Sequence, residues 1–138
     1  VGVVVDAHRP PMTGTARHVA RFALAGALLA TGIGHFTWGR RGFRVAVPPY
    51  VPFDPDAVVL ASGAVEVALA AGLAVAPQPA RRRVGMLTAL FFVAVFPGNI
   101  SQWATRRNAP GLDTDDKRFA RLFLQPVLVW MALWATRR

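Results

Sequence analysis

The sequence predicts an all-α integral membrane protein, an antiparallel bundle of four helices. Three observations carry this expectation. The hydrophobic fraction is 54% and only 17% of the residues are charged, against about 45–50% and roughly 25% in an ordinary soluble domain. The charges are gathered into clusters, with long uncharged runs between them. Those runs approach the ~20 residues that a helix needs to cross a ~30 Å hydrocarbon core. At 138 residues the chain has room for one domain.

Residues 1–16 are polar, contain Arg9-Pro10-Pro11 and read as a tail ahead of a membrane domain over 17–138. The first span is expected over about 19–38. No small-residue cleavage site follows its apolar part, where Phe36, Trp38 and Arg40 stand, so it reads as a retained span and not a signal peptide. A loop over 39–55 holds Arg40-Arg41 and then Pro48, Pro49, Pro52 and Pro55, four prolines in eight residues. Such a density forbids a regular helix and stiffens the connection.

The second span, about 57–76, is uncharged except for Glu66 and stops at Pro77-Gln78-Pro79 before Arg81–Arg83. The third, about 84–105, carries Pro97 near its end, where proline frees a carbonyl and kinks the axis. A loop over 106–118 contains Arg106-Arg107, Pro110-Gly111 and an acidic stretch. The fourth span, about 119–136, has an uncharged core of only fourteen residues, Leu122 to Ala135. An interfacial segment is the competing reading, with Arg121 snorkelling and Trp130 and Trp134 at the interface. Arg137-Arg138 favour a span by supplying a second basic anchor.

The net charge of +9 invites a nucleic-acid reading. The basic residues, however, flank the apolar runs, where anionic lipid headgroups attract them. The expected partner is therefore the lipid bilayer and not nucleic acid. Eight basic residues fall on each side, so the positive-inside count ties; five of the seven acids on one side favour cytoplasmic N- and C-termini. The absence of cysteine excludes disulfide relays and Cys-ligated zinc or iron–sulfur centres held by this chain.

Function is sought among polar residues inside the spans, because burying them in lipid is costly. They are Thr31 and His35, Ser62 and Glu66, Asn99, Ser101 and Gln102, and Arg121 and Gln125. Alternating the spans places His35, Asn99, Gln102 and Gln125 in one half of the bilayer, on the side of the Pro-rich loop, with Glu66 nearer mid-depth. These five are the candidate ligand-binding residues, and Pro48, Pro49 and Pro52 shape the loop above them. Glu66 reads either as a proton carrier or ligand contact, or as a carboxyl that fixes packing. A direct His35–Glu66 pair is open but not favoured, since their depths differ by roughly 10 Å on this count. No second histidine stands four residues from His35, and no metal site is expected. Pro97-Gly98-Asn99 reads as a kink whose backbone Asn99 or Gln102 satisfies, and Gln125-Pro126 as the same device. The stripe Ala61, Ala64, Ala68, Ala71 and Gly72 would allow close helix approach.

In order along the chain stand Gly32-Ile33-Gly34-His35-Phe36, Val47-Pro48-Pro49 with Pro52, Ser62-Gly63-Ala64-Val65-Glu66, Arg82-Arg83, Phe96-Pro97-Gly98-Asn99-Ile100, and Arg121-Leu122 with Gln125-Pro126. This ordered set, over about 18–135, resembles the DoxX-like family of small bacterial membrane proteins. The resemblance implies a four-helix bundle in the cell membrane, and a family associated with quinol oxidation, sulfur metabolism and oxidative-stress complexes. The expected function is an accessory subunit of a redox or envelope complex, holding a quinone, lipid or partner helix in a polar pocket. The alternatives are a quinone-linked oxidoreductase using His35 and Glu66 in proton transfer, and a small, homo-oligomerising transporter.

Overall fold

The computed structural model describes residues 12–44, 47–106 and 114–137, and among these every regular element is helical. Five helices follow in order: α1 Met12–Phe36, α2 Arg40–Arg44, α3 Pro55–Val75, α4 Ala80–Ala104 and α5 Asp115–Ala135. Three of them, α1, α3 and α4, are long and apolar enough to cross a membrane. Of the expected irregular segments, residues 1–11, 45–46, 107–113 and 138 lie outside the described residues.

Two of the long helices are capped at their starts by a side chain. Pro55 opens α3 at the first helical position, where its missing N–H costs nothing, and the Asp54 carboxylate accepts from the Asp56 backbone N–H at 3.4 Å. Thr114 caps α5, its hydroxyl accepting from Lys117 N–H at 3.2 Å. Helix α1 begins inside the stretch read as tail, because no proline stands between Met12 and Arg21. The segment read wholly as a loop holds α2, a single turn between Gly39 and the proline cluster. From Val47 to Asp54 no helix forms, and Val51 N–H closes a turn on Pro48 O at 3.1 Å.

The four long helices pack side by side, α1 on α3, α3 on α4, α4 on α5 and α5 on α1. Their pairings run in opposite directions: Arg21 reaches Leu73 and Gly32 meets Gly63, while Gly85 meets Thr136 and Gln102 meets Arg121. Leu24, Leu28, Leu69, Leu73 and Phe92 form the centre with Ala25, Ala70, Ala89 and Ala132 between them. Where lipid surrounds helices, burial adds little between them, because lipid is as apolar as leucine, and close packing and hydrogen bonds carry the association. Glycines supply the closeness. A Cβ on Gly32 would fall 2.9 Å from Val67 Cγ2, one on Gly72 2.9 Å from Val84 Cγ1, and one on Gly85 would overlap Thr136.

Of the stripe expected to make a close approach, Gly72 does so, against Val84 of α4, while its alanines do not. Ala61, Ala64, Ala68 and Ala71 are exposed, and the contact with α1 runs through Gly63 on the polar stripe instead. Glycine wins because its missing methyl lets the backbones themselves touch.

The end opposite the Pro-rich loop is closed by polar side chains. Arg21, read as a headgroup anchor, is only 4% exposed. Its Nη1 donates to Leu73 O at 2.7 Å and Ala74 O at 3.3 Å, carbonyls of the last turn of α3 that have no partner within that helix. Arg81 Nε donates to Ala76 O at 3.0 Å, and Gln78 Nε2 to Thr136 O at 2.9 Å.

Candidate ligand cavity

A cavity of about 630 Å³ lies among the four long helices and is lined from all five helices and the Pro-rich loop. Its lining is graded along the bundle. Leu24, Leu28, Phe91, Phe92 and Leu128 line the part deeper in the helices. Towards the Pro-rich loop come Thr31 and His35 on α1, Ser62 and Glu66 on α3, Asn99 on α4, and Arg121 and Gln125 on α5. Val47, Pro48, Tyr50 and Val51 close that end.

His35 and Glu66 are both buried, at 7% and 8% exposure, and they meet. His35 Nδ1 stands 3.2 Å from Glu66 Oε2, which corrects the expectation that their depths keep them apart. The Gly32–Gly63 contact sets the register, and each titratable residue lies three positions beyond its glycine. Side chains lean towards their own helix N-terminus. In antiparallel helices those directions are opposite, so His35 leans inward and Glu66 leans towards the loop.

The pair is nevertheless unevenly served. His35 Nδ1 lies 2.6 Å from Thr31 O, a carbonyl that can only accept, so Nδ1 carries the proton and donates it there. Glu66 Oε2 stands 3.2 Å from the same nitrogen, close enough for an ion pair but without a hydrogen bond of good geometry, and this buried oxygen has no other donor. The imidazole is held flat by Phe43 of α2, whose ring stacks on it at 3.8 Å between centroids and 4° between planes. The sequence reading missed Phe43. Its only signal was one aromatic side chain among arginines in a five-residue turn.

The other candidates divide. Gln125 is buried and donates from Nε2 to Phe92 O at 2.9 Å, so a side chain of α5 satisfies the backbone of α4 upstream of Pro97. Asn99 or Gln102 had been expected to satisfy the backbone at the Pro97 kink; the hydrogen bond seen there comes from Gln125 and goes to Phe92 O, next to the Val93 carbonyl that Pro97 leaves without its helical donor. Gln102 is 2% exposed and accepts from Arg121 Nη1 at 3.3 Å, outside the cavity wall, while Asn99 lines the wall directly. Pro48 lines the cavity; Pro49 and Pro52 are exposed and only shape the loop. Among the described residues no group of three or more His, Cys, Asp or Glu is placed to hold a metal ion.

Outside the cavity, the Arg40 guanidinium grips the Asp56 carboxylate, with Nε to Oδ1 at 2.7 Å and a second contact from Nη2 to Oδ2. This bidentate pair ties α2 to the first turn of α3. The Asp56 carboxylate raises the Arg40 pKa above its ordinary value, through the hydrogen bond first and the charge second.

The sequence matches the model of the family described as Domain of unknown function (DUF8561), over residues 24–136. The chain belongs to the DUF8561 family. The matched segment starts at the first cavity-lining residue, Leu24, and extends beyond the last, Leu128, so the site of this DUF8561 chain lies wholly within it. No curated protein and no solved structure matches the chain.

Proposed function

We propose that the protein is a four-span antiparallel bundle of the cell membrane that binds an amphipathic, lipid-soluble molecule. A quinone or a lipid fits the description. The reading makes the chain an accessory subunit of a redox or envelope complex, as its resemblance to the DoxX-like family implies, with N- and C-termini cytoplasmic. The observation that carries the proposal is the graded cavity: an apolar depth leading to His35, Glu66, Asn99, Arg121 and Gln125 at one end. Ligand sites of about 300–1,000 Å³ characteristically combine an apolar lining with a few convergent polar groups.

Two features support α5 as the fourth span. It follows α4 from Gln102–Arg121 to Gly85–Thr136, seventeen residues of α4 or roughly 25 Å. Its outward residues Phe119, Phe123, Val127 and Trp130 are apolar and between 45% and 63% exposed. Those suit lipid and not water.

Mass spectrometry of organic extracts from protein purified out of its native membrane tests the binding reading. One amphipathic species should be enriched to about one per chain. An extract with the composition of the bulk membrane would refute the proposal. The His35–Glu66 contact supports a second reading, an oxidoreductase in which the two hydroxyl protons of a quinol pass to this pair, one to each side chain, while a partner protein takes the two electrons. Quinol-dependent reduction of such a partner, lost in His35→Asn, would separate it from the first.

A further inference from the structure

The chemistry of the ligand head can be read from the groups that await it, granted the ligand-cavity reading above. Glu66 Oε2 is buried, belongs to a residue lining the cavity and has no donor. The neighbouring imidazole does not serve it, because its Nδ1 proton goes to Thr31 O. A buried carboxylate oxygen without a donor is costly, so a bound molecule that supplies one is favoured.

Charge narrows the choice. Glu66 and Arg121 are the carboxylate and guanidinium that line the cavity, and their signs cancel. A carboxylate head would set a second acceptor against Glu66. An ammonium head would satisfy Glu66 but place a second cation in the enclosure with Arg121. An ether or ketone head accepts only and leaves Oε2 as it is. A hydroxyl donates one hydrogen bond and accepts others, so it serves Glu66 without adding charge and keeps acceptor capacity for the other polar groups of the lining. We infer that the cavity selects a neutral amphipathic molecule with a hydroxyl head, the hydroxyl donating to Glu66 Oε2 while the hydrocarbon part lies against Leu24, Leu28, Phe92 and Leu128.

Four probes with one tail test this: dodecanol, its methyl ether, dodecylamine and dodecanoate. The full chain is reconstituted in phosphatidylcholine vesicles with each probe at the same mole fraction, and retention is read by native mass spectrometry on release from the bilayer. Dodecanol should be retained roughly tenfold or more above the ether, the factor expected for one buried acceptor satisfied or left bare. It should also exceed the amine and the acid. Equal or better retention of the ether, amine or acid overturns the hydroxyl assignment but leaves the cavity a binding site. Retention of none of the four overturns the ligand-cavity reading itself. In Glu66→Leu, both dodecanol and ether should bind with the preference gone; a preference that survives overturns the role of Glu66. The head-group ranking on the unaltered protein stands even where that variant does not fold.

Discussion

Gly63 of α3 lies directly against His35 of α1: a methyl group on Gly63 would sit 2.6 Å from the His35 Cβ. The same methyl would meet Gly32 O and Phe36 Cε2 at 3.0 Å each. Two of these three neighbours are backbone or Cβ atoms, which cannot turn aside. Alanine gains about 1 kcal/mol over glycine in helix propensity, while overpacking a tight contact costs about 1–3 kcal/mol. The clash should win, so Gly63→Ala is expected to destabilise the protein by up to about 2 kcal/mol in a denaturation titration in micelles. Gly26→Ala is the control. A Cβ there meets nothing within 4 Å, and that variant should gain stability. A stabilised Gly63→Ala would show that the α1–α3 contact yields easily.

That contact also shows what could be read from the sequence and what could not. The long uncharged runs and proline cluster located the helices, and Glu66 stood out as the single charge between Ala57 and Ala76. Depths counted from span ends, however, assumed flush helices with side chains at right angles to the axis. The actual register is set by two glycines and the lean by backbone chirality, and neither shows in hydropathy. Arg21 was misread for a similar reason. Hydropathy counts it as a flanking charge, yet its guanidinium reaches carbonyls more than fifty residues away in sequence. Phe43 could not be found at all, since a single turn carries no periodicity.

Arg21 should behave as a structural cap. Its Nη1 serves Leu73 O and Ala74 O, and its Nη2 lies 3.0 Å from His18 Nδ1. A hydrogen bond to a charged group contributes about 1.5–3 kcal/mol. Arg21→Met, which keeps much of the stem, is expected to lose about that much stability. Arg21→Lys should recover only part of it, because an ammonium lacks the planar fork. Equal stability of all three proteins in thermal unfolding would mean that the α3 terminus finds other donors.

The path of α5 is testable with single cysteines, since the chain has none of its own. Phe53, Pro77 and Arg137 are exposed. If α5 crosses beside α4, Pro77→Cys and Arg137→Cys react with an impermeant maleimide from one side of sealed, oriented vesicles, and Phe53→Cys from the other. The Gln78–Thr136 hydrogen bond at 2.9 Å requires the first two to share a side. Labelling of Arg137→Cys together with Phe53→Cys would place α5 on the surface and leave three spans.

Gln125 separates a binding role from a packing role. It lines the cavity and also donates to Phe92 O across the α4–α5 contact. Gln125→Met fills similar space but leaves the carbonyl without that donor, at a cost of about 1 kcal/mol. Gln125→Glu should cost more at neutral pH, because a carboxylate presents a second acceptor to Phe92 O where a donor stood. If the amide serves packing alone, retention of an amphipathic probe should be the same in Gln125→Met as in the unaltered protein once both are folded. If it also faces the ligand, Gln125→Met should lower retention beyond what its lost stability explains. A Gln125→Glu protein as stable as the parent would show that water or a shifted backbone serves Phe92 O, and the hydrogen bond would then not hold α4 to α5.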